Sequence, residues 1–73
     1  MITFEPLWET MKNKHVTIYA LTHKHGIKNG TVYTMKSNGN VTLKTINKLC
    51  NILDCTPEDI FKYSKEDEDY AGS

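Results

Sequence analysis

Apolar residues recur at intervals of three and four over most of the chain, the spacing of one helix face, and no stretch alternates cleanly enough to read as a strand. The pattern predicts an all-α fold of five helices. Pro6 suits the start of a first helix, where its missing amide proton costs nothing, and Leu7, Trp8 and Met11 form an inward face until about Lys14. Thr17 can cap a second helix through His25, with Ile18, Leu21 and His25 sharing a face directed at the core. Gly26 then ends it by taking the left-handed conformation that a side chain disfavours. A third helix is expected from about Asn29 to Lys36, its Val32 and Met35 joined by Ile27 in facing the core.

Ser37-Asn38-Gly39-Asn40 is turn chemistry, because Asn and Gly tolerate positive φ. Thr42 caps a fourth helix whose apolar face, Leu43, Ile46, Leu49, Cys50 and Leu53, lies opposite Lys44 and Lys48. Thr56-Pro57-Glu58-Asp59 combines a cap, a proline at the first helical position and acids in the first turn, and so opens a fifth helix to about Tyr63. From Ser64 onward no apolar face recurs. The expected organisation is one domain over residues 1–64 and an acidic, disordered tail over 65–73.

A chain of 73 residues buries only about 60% of the surface its unfolded form exposes, which suffices for one modest core and leaves no room for a cofactor domain. No apolar run approaches the roughly 20 residues of a membrane span, and the N-terminal residues lack the features of a secretory signal, so a cytoplasmic location is expected. Cys50 and Cys55 lie five residues apart, about 140° around a helix, and are expected to be free thiols with Cys50 acting as a small core residue. The spacings of Cys50, Cys55, His15, His23 and His25 match no common zinc pattern. Neither a nucleophile with base and orienter at usable spacing nor a glycine-rich phosphate loop is recognisable. The expectation is a non-enzyme with no cofactor, no metal and no small-molecule ligand.

Formal neutrality hides a charge asymmetry. Seven lysines (Lys12, Lys14, Lys24, Lys28, Lys36, Lys44, Lys48) lie between Thr10 and Leu53, a window with no aspartate or glutamate, whereas Glu66 to Asp69 crowd the end of the chain. On composition alone such lysines are either a solvated surface or a footprint for a polyanion, nucleic acid first among them.

The segment V-T-I-Y-A-L-T-H-K-H-G-I-K-N-G-T-V-Y-T-M-K, Val16 to Lys36, decides between these, because it resembles the helix-turn-helix of the phage-repressor and Cro type, the XRE family. Leu21, Gly26, Ile27, Val32 and Met35 occupy that family's buried leucine, turn glycine, post-turn aliphatic and recognition-helix core positions. With its flanking text the resemblance covers about residues 4 to 63 and looks like a compact single-domain branch. It implies a sequence-specific, double-stranded DNA-binding transcriptional regulator whose third helix reads the major groove. Lys28, Asn29, Gly30, Tyr33 and Thr34 fall at or next to the family's base-contacting positions, with Asn29 suited to an adenine edge, Thr34 to an acceptor or a thymine methyl, and Lys28 to guanine or phosphate. Thr17, Lys36, Asn40 and Lys44 fall where the family grips the DNA backbone.

The sequence departs from the family pattern at Ile18, Thr22 and Lys28, the last standing where a capping serine is usual, and Asn29-Gly30 is a pair more typical of a turn. The chain contains no arginine, the commonest specific reader of guanine, so the expected selectivity is either modest or biased towards A·T-rich sites. A homodimer on a pseudo-palindromic site is expected, with Phe61 and Tyr63 of the fifth helix offered for the contact. The alternative is a protein-interaction module of the same fold, antitoxin-like or repressor-sequestering, that binds no operator.

Overall fold

Short helices joined by left-handed turns account for most of residues 1–65, the part of the chain that the computed structural model describes. The acidic run Glu66 to Asp69, and with it nearly all of the expected tail, lies outside the described residues. Helix α1 spans Glu5–Asn13, with Pro6 in its first turn and Leu7 and Met11, one turn apart, buried. The chain then turns through His15 at φ 60, with the Val16 amide donating to the Met11 carbonyl at 2.9 Å.

Helix α2 spans Ile18–His23, and Thr17 caps it by accepting the Ala20 amide at 3.0 Å. It stops two residues short of the expected His25. The Lys24 and His25 amides both donate to the Ala20 carbonyl, at 2.9 and 3.1 Å, which tightens the last turn before Gly26 reverses the chain at φ +74. His25 therefore leaves the helix and is exposed, contrary to the core-facing position expected of it. Ile27 is drawn inward instead, its amide donating to the Leu21 carbonyl at 3.0 Å.

Helix α3 runs Asn29–Lys36 as expected, with Val32 and Met35 buried. Asn38 at φ 57 follows it, and its Oδ1 accepts the Phe4 amide at 3.0 Å, tying this turn to the N-terminal end of α1. Helix α4 spans Leu43–Leu53, and Thr42 Oγ1 caps it by accepting the Thr45 amide at 3.2 Å. Ile46, Leu49 and Leu53 are its buried face. Leu43, expected on that face, is 80% exposed, because it opens the helix one turn before the core begins.

Asp54 ends α4 in the left-handed region at φ 52, which brings the Cys55 amide onto the Cys50 carbonyl at 3.0 Å. The helical projection that separates the two cysteines thus fails at this turn. Both are free and half-buried, and burial, followed by the neighbouring Cys50 and Asp59, pushes the Cys55 thiol up to about 11.

The expected fifth helix is one 3₁₀ turn, Pro57–Asp59, whose start is held by Thr56 donating its amide and hydroxyl to Asp59 Oδ2 at 3.2 and 3.3 Å. Ile60 is then fully buried, and the chain extends into strand β2, Lys62–Tyr63, antiparallel to strand β1, Ile2–Thr3. Ile2 pairs with Tyr63 and Thr3 with Lys62, and the Met1 ammonium donates to the Ser64 carbonyl at 2.6 Å. The fold is mostly helical with a two-stranded sheet, not all-α. The strands satisfy the backbone at both ends of the domain, while Phe61 meets Phe4 edge-on at 6.3 Å. Trp8 is partly buried against the same core. Among the described residues no helix is long and apolar enough to cross a membrane.

Replacing Asn38 should show how much the turn after α3 depends on a side chain. Asn38→Ala removes the acceptor for Phe4 N–H and leaves an alanine in the left-handed region, which should cost about 1–3 kcal/mol. Asn38→Gly removes only the hydrogen bond and should cost about half as much. Urea unfolding midpoints of the two variants would separate them, and equal losses would overturn the conformational part.

Candidate nucleic-acid interface

With Val32 and Met35 in the core, α3 turns Asn29, Gly30, Tyr33 and Lys36 outward. Tyr33 is 77% exposed. Lys28 precedes the helix with extended backbone, φ −70 and ψ 145, and offers no side-chain cap, so the helix starts at Asn29 without the usual serine. The Asn29 amide is exposed and has no hydrogen-bond partner among the described residues. A Cβ built on Gly30 meets nothing within 4 Å, so no internal packing requires glycine there.

Thr34 is placed differently from its neighbours. Its hydroxyl donates to the Gly30 carbonyl at 2.9 Å, and its Cγ2 lies against Gly39, 2.9 Å from where a Cβ on that glycine would be. The hydroxyl is thus engaged within α3 and the methyl against the turn that follows it, and the hydroxyl lone pairs remain to meet a base. Gly39 is required there, because any larger residue would displace Thr34.

Two clefts flank the outer face of α3. The first, about 390 Å³, opens between α3 and the start of α4 and joins Lys28, Gly30 and Thr34 to Asn40. The second, about 360 Å³, lies between the Gly26-Ile27-Lys28 turn and α4 and includes Lys44 and Lys48. Lys28, Thr31 and Thr45 line both, so the clefts run into each other. Of the sequence-predicted site residues, Lys28, Gly30, Thr34, Asn40 and Lys44 border this depression; Asn29, Tyr33 and Lys36 stand on the exposed surface of α3; and Thr17 lies at the start of α2, outside both clefts.

Among the described residues the lining contains no carboxylate. Glu5 pairs with Lys62 at 2.9 Å on elements that do not border the clefts. Sequence reasoning placed Lys48 only on an outward face; its spacing of four from Lys44, one helical turn, was the available signal that the two share a surface. No group of three or more His, Cys, Asp and Glu residues among the described residues could hold a metal ion.

A helix presenting polar groups, set on a two-residue apolar anchor and edged by lysines without acids, is suited to a groove in a polyanion. The fold is similar to that of the transcriptional regulator VanUg in its crystal form II, with a TM-score of 0.80 at 23% identity over 89% of this chain and 87% of that one. No curated protein matches the chain. The sequence profile of the Cro/C1-type HTH DNA-binding domain matches residues 6–66, spanning the turn, both clefts and the sheet's second strand. The chain belongs to the family of Cro/C1-type helix-turn-helix DNA-binding domains.

Proposed function

We propose that this protein is a sequence-specific transcriptional regulator that places α3 in the major groove of double-stranded DNA. The observation that carries the reading is the division of α3 into a buried face, Val32 and Met35, and an exposed one, Asn29, Gly30 and Tyr33, beside a lysine-lined depression with no acid among the described residues. Asn29 is the principal base reader, since an unpaired amide can bond an adenine edge in bidentate fashion. Tyr33 and the bare Gly30 face the same groove, Lys28 and Thr34 border it, and Thr17, Lys36, Asn40 and Lys44 hold the phosphate backbone. Occupancy of a promoter is the mode of action.

Selection of sites from random duplex DNA, followed by salt titration on the winning sequence, tests the reading. If about four phosphates are neutralised per subunit, the log–log salt slope should be near −3.6 per subunit. A flat titration, or a salt-insensitive protein partner in its place, would remove DNA binding as the function. Asn29→Ala should cost on the order of 1–3 kcal/mol at one base position and little on random DNA.

Gly30→Ala should part stability from binding. The open space around Gly30 admits a methyl group, so the free protein should gain about 0.5–1 kcal/mol from the better helix former. Affinity for the selected site should fall, because the methyl occupies the space in which DNA approaches the backbone. Unchanged affinity would show that Gly30 does not face the groove.

Two copies are proposed to pair on a pseudo-palindrome, as one eight-residue helix reads few base pairs. Phe61 is half-buried against Phe4, so the apolar surface left for a partner is Tyr63 together with Met1, Ile2 and Leu43, all exposed. Sedimentation with a half-site and a full site should give one and two subunits per duplex; one subunit on the saturated full site would refute the pairing.

A further inference from the structure

Lys48 lies in the middle of α4, beyond the first turn of that helix, yet its ammonium is not directed simply at solvent. Its Nζ lies 3.7 Å from where a Cβ on Gly26 would stand, so the side chain extends across the cleft to the glycine of the helix-turn-helix turn. Lys28, on the N-terminal side of α3, and Lys44, in the first turn of α4, line the same cleft. Three cations thus border one depression whose other lining residues are Gly26, Ile27, Thr31 and Thr45. Among the described residues no carboxylate lines it.

Like charges gathered in this way repel; two of them 4 Å apart in water do so by about 1 kcal/mol. Solvated lysines ordinarily spread apart. A Cβ on Gly26 would stand in ordinary contact with the Lys48 ammonium, so it is the φ of +74, not the cation, that calls for glycine there.

We propose that this cleft is a phosphodiester-binding site, formed by Lys28, Lys44 and Lys48 and filled by the DNA backbone alongside the groove that α3 occupies. The inference rests on the DNA-binding reading above and extends it in two respects. Lys48 becomes a backbone ligand contributed by the middle of α4, and Lys28, for which guanine and phosphate are both open, is assigned to phosphate. A lysine ammonium suits the task, being a compact charge on a flexible stem that follows a phosphate without demanding one geometry. With Lys28 and Lys48 entering from separate elements, one phosphate would fix the angle between α3 and the backbone while carrying no sequence information.

The test is binding of the full 73-residue chain to duplex DNA over a series of salt concentrations, comparing the unaltered protein with Lys48→Gln, Lys48→Arg and Lys24→Gln. Lys24 is exposed at the end of α2 and borders neither cleft, so it reports the loss of a charge elsewhere. Lys48→Gln should reduce the magnitude of the log–log slope by about 0.9, equally on the selected site and on random duplex, without lowering the melting temperature. Lys48→Arg should restore the slope, and Lys24→Gln should leave it unchanged.

Lys28→Gln should behave as Lys48→Gln does; a loss confined to one base position would overturn the assignment of Lys28. A salt-dependent unaltered protein whose slope survives Lys48→Gln would overturn the cleft and leave the DNA reading standing. No salt-dependent binding by the unaltered protein would overturn both.

Discussion

An eight-residue helix is not stable by itself in water, since the cost of its nucleus exceeds the return from so few propagated bonds. Helix α3 is such a helix, and it buries only Val32 and Met35. Its position therefore depends on how its two ends are held. At the N-terminal end Gly26 reverses the chain and the Ile27 amide reaches the Leu21 carbonyl, which places an aliphatic side chain in the core immediately before Lys28. At the other end Gly39 N–H donates to the Thr34 carbonyl at 2.8 Å and Asn38 receives Phe4 N–H. Both ends are fastened to residues outside the helix, and among the described residues its outer side chains have no hydrogen-bond partner apart from Thr34.

Much of this fold was legible. Thr17, Thr42 and Thr56 each sit where a helical segment begins, because a hydroxyl or amide that satisfies an orphan end group is a local event needing no knowledge of distant chain. Val32, Met35, Ile46, Leu49 and Leu53 were equally legible, being set by periodicity within one element. The failures share a cause. The strands Ile2–Thr3 and Lys62–Tyr63 are too short to alternate and exist only because the two ends of the domain meet. Leu43 and His25 were assigned from helical phase, which carries no information about where a core stops or where a helix frays. The juxtaposition of Cys50 and Cys55 follows from Asp54 adopting a left-handed conformation, which a non-glycine residue seldom advertises.

The candidate interface was legible in its outline and less so in its distribution of roles. Family resemblance located Lys28, Asn29, Gly30, Tyr33 and Thr34 by counting along the motif, and counting cannot reveal that the Thr34 hydroxyl is bound to the Gly30 carbonyl. Nor could it show that Lys48 leans over Gly26, because a lysine stem of four carbons can reach many places from one Cα. The acid-free window was the more informative sequence feature. It required no alignment, and its lysines at 28, 44 and 48 converge on a single cleft.

A surface whose positive charge comes entirely from lysine divides affinity from selectivity more sharply than one that uses arginine. Arginine can grip a phosphate or read guanine through two parallel bonds, so one residue type serves both ends. Lysine supplies charge with little directional demand, and those that meet phosphate add affinity to any sequence almost equally. On the proposed placement of α3, selectivity rests on its few uncharged groups, of which Asn29 has an amide with no partner among the described residues and Gly30 an uncovered backbone. An amide prefers adenine, and a bare backbone lets the helix sit deep enough for that preference to count. With α3 placed in the major groove as proposed, such a design would favour A·T-rich sites, and discrimination would depend on the depth at which α3 enters, set by the turns at its two ends.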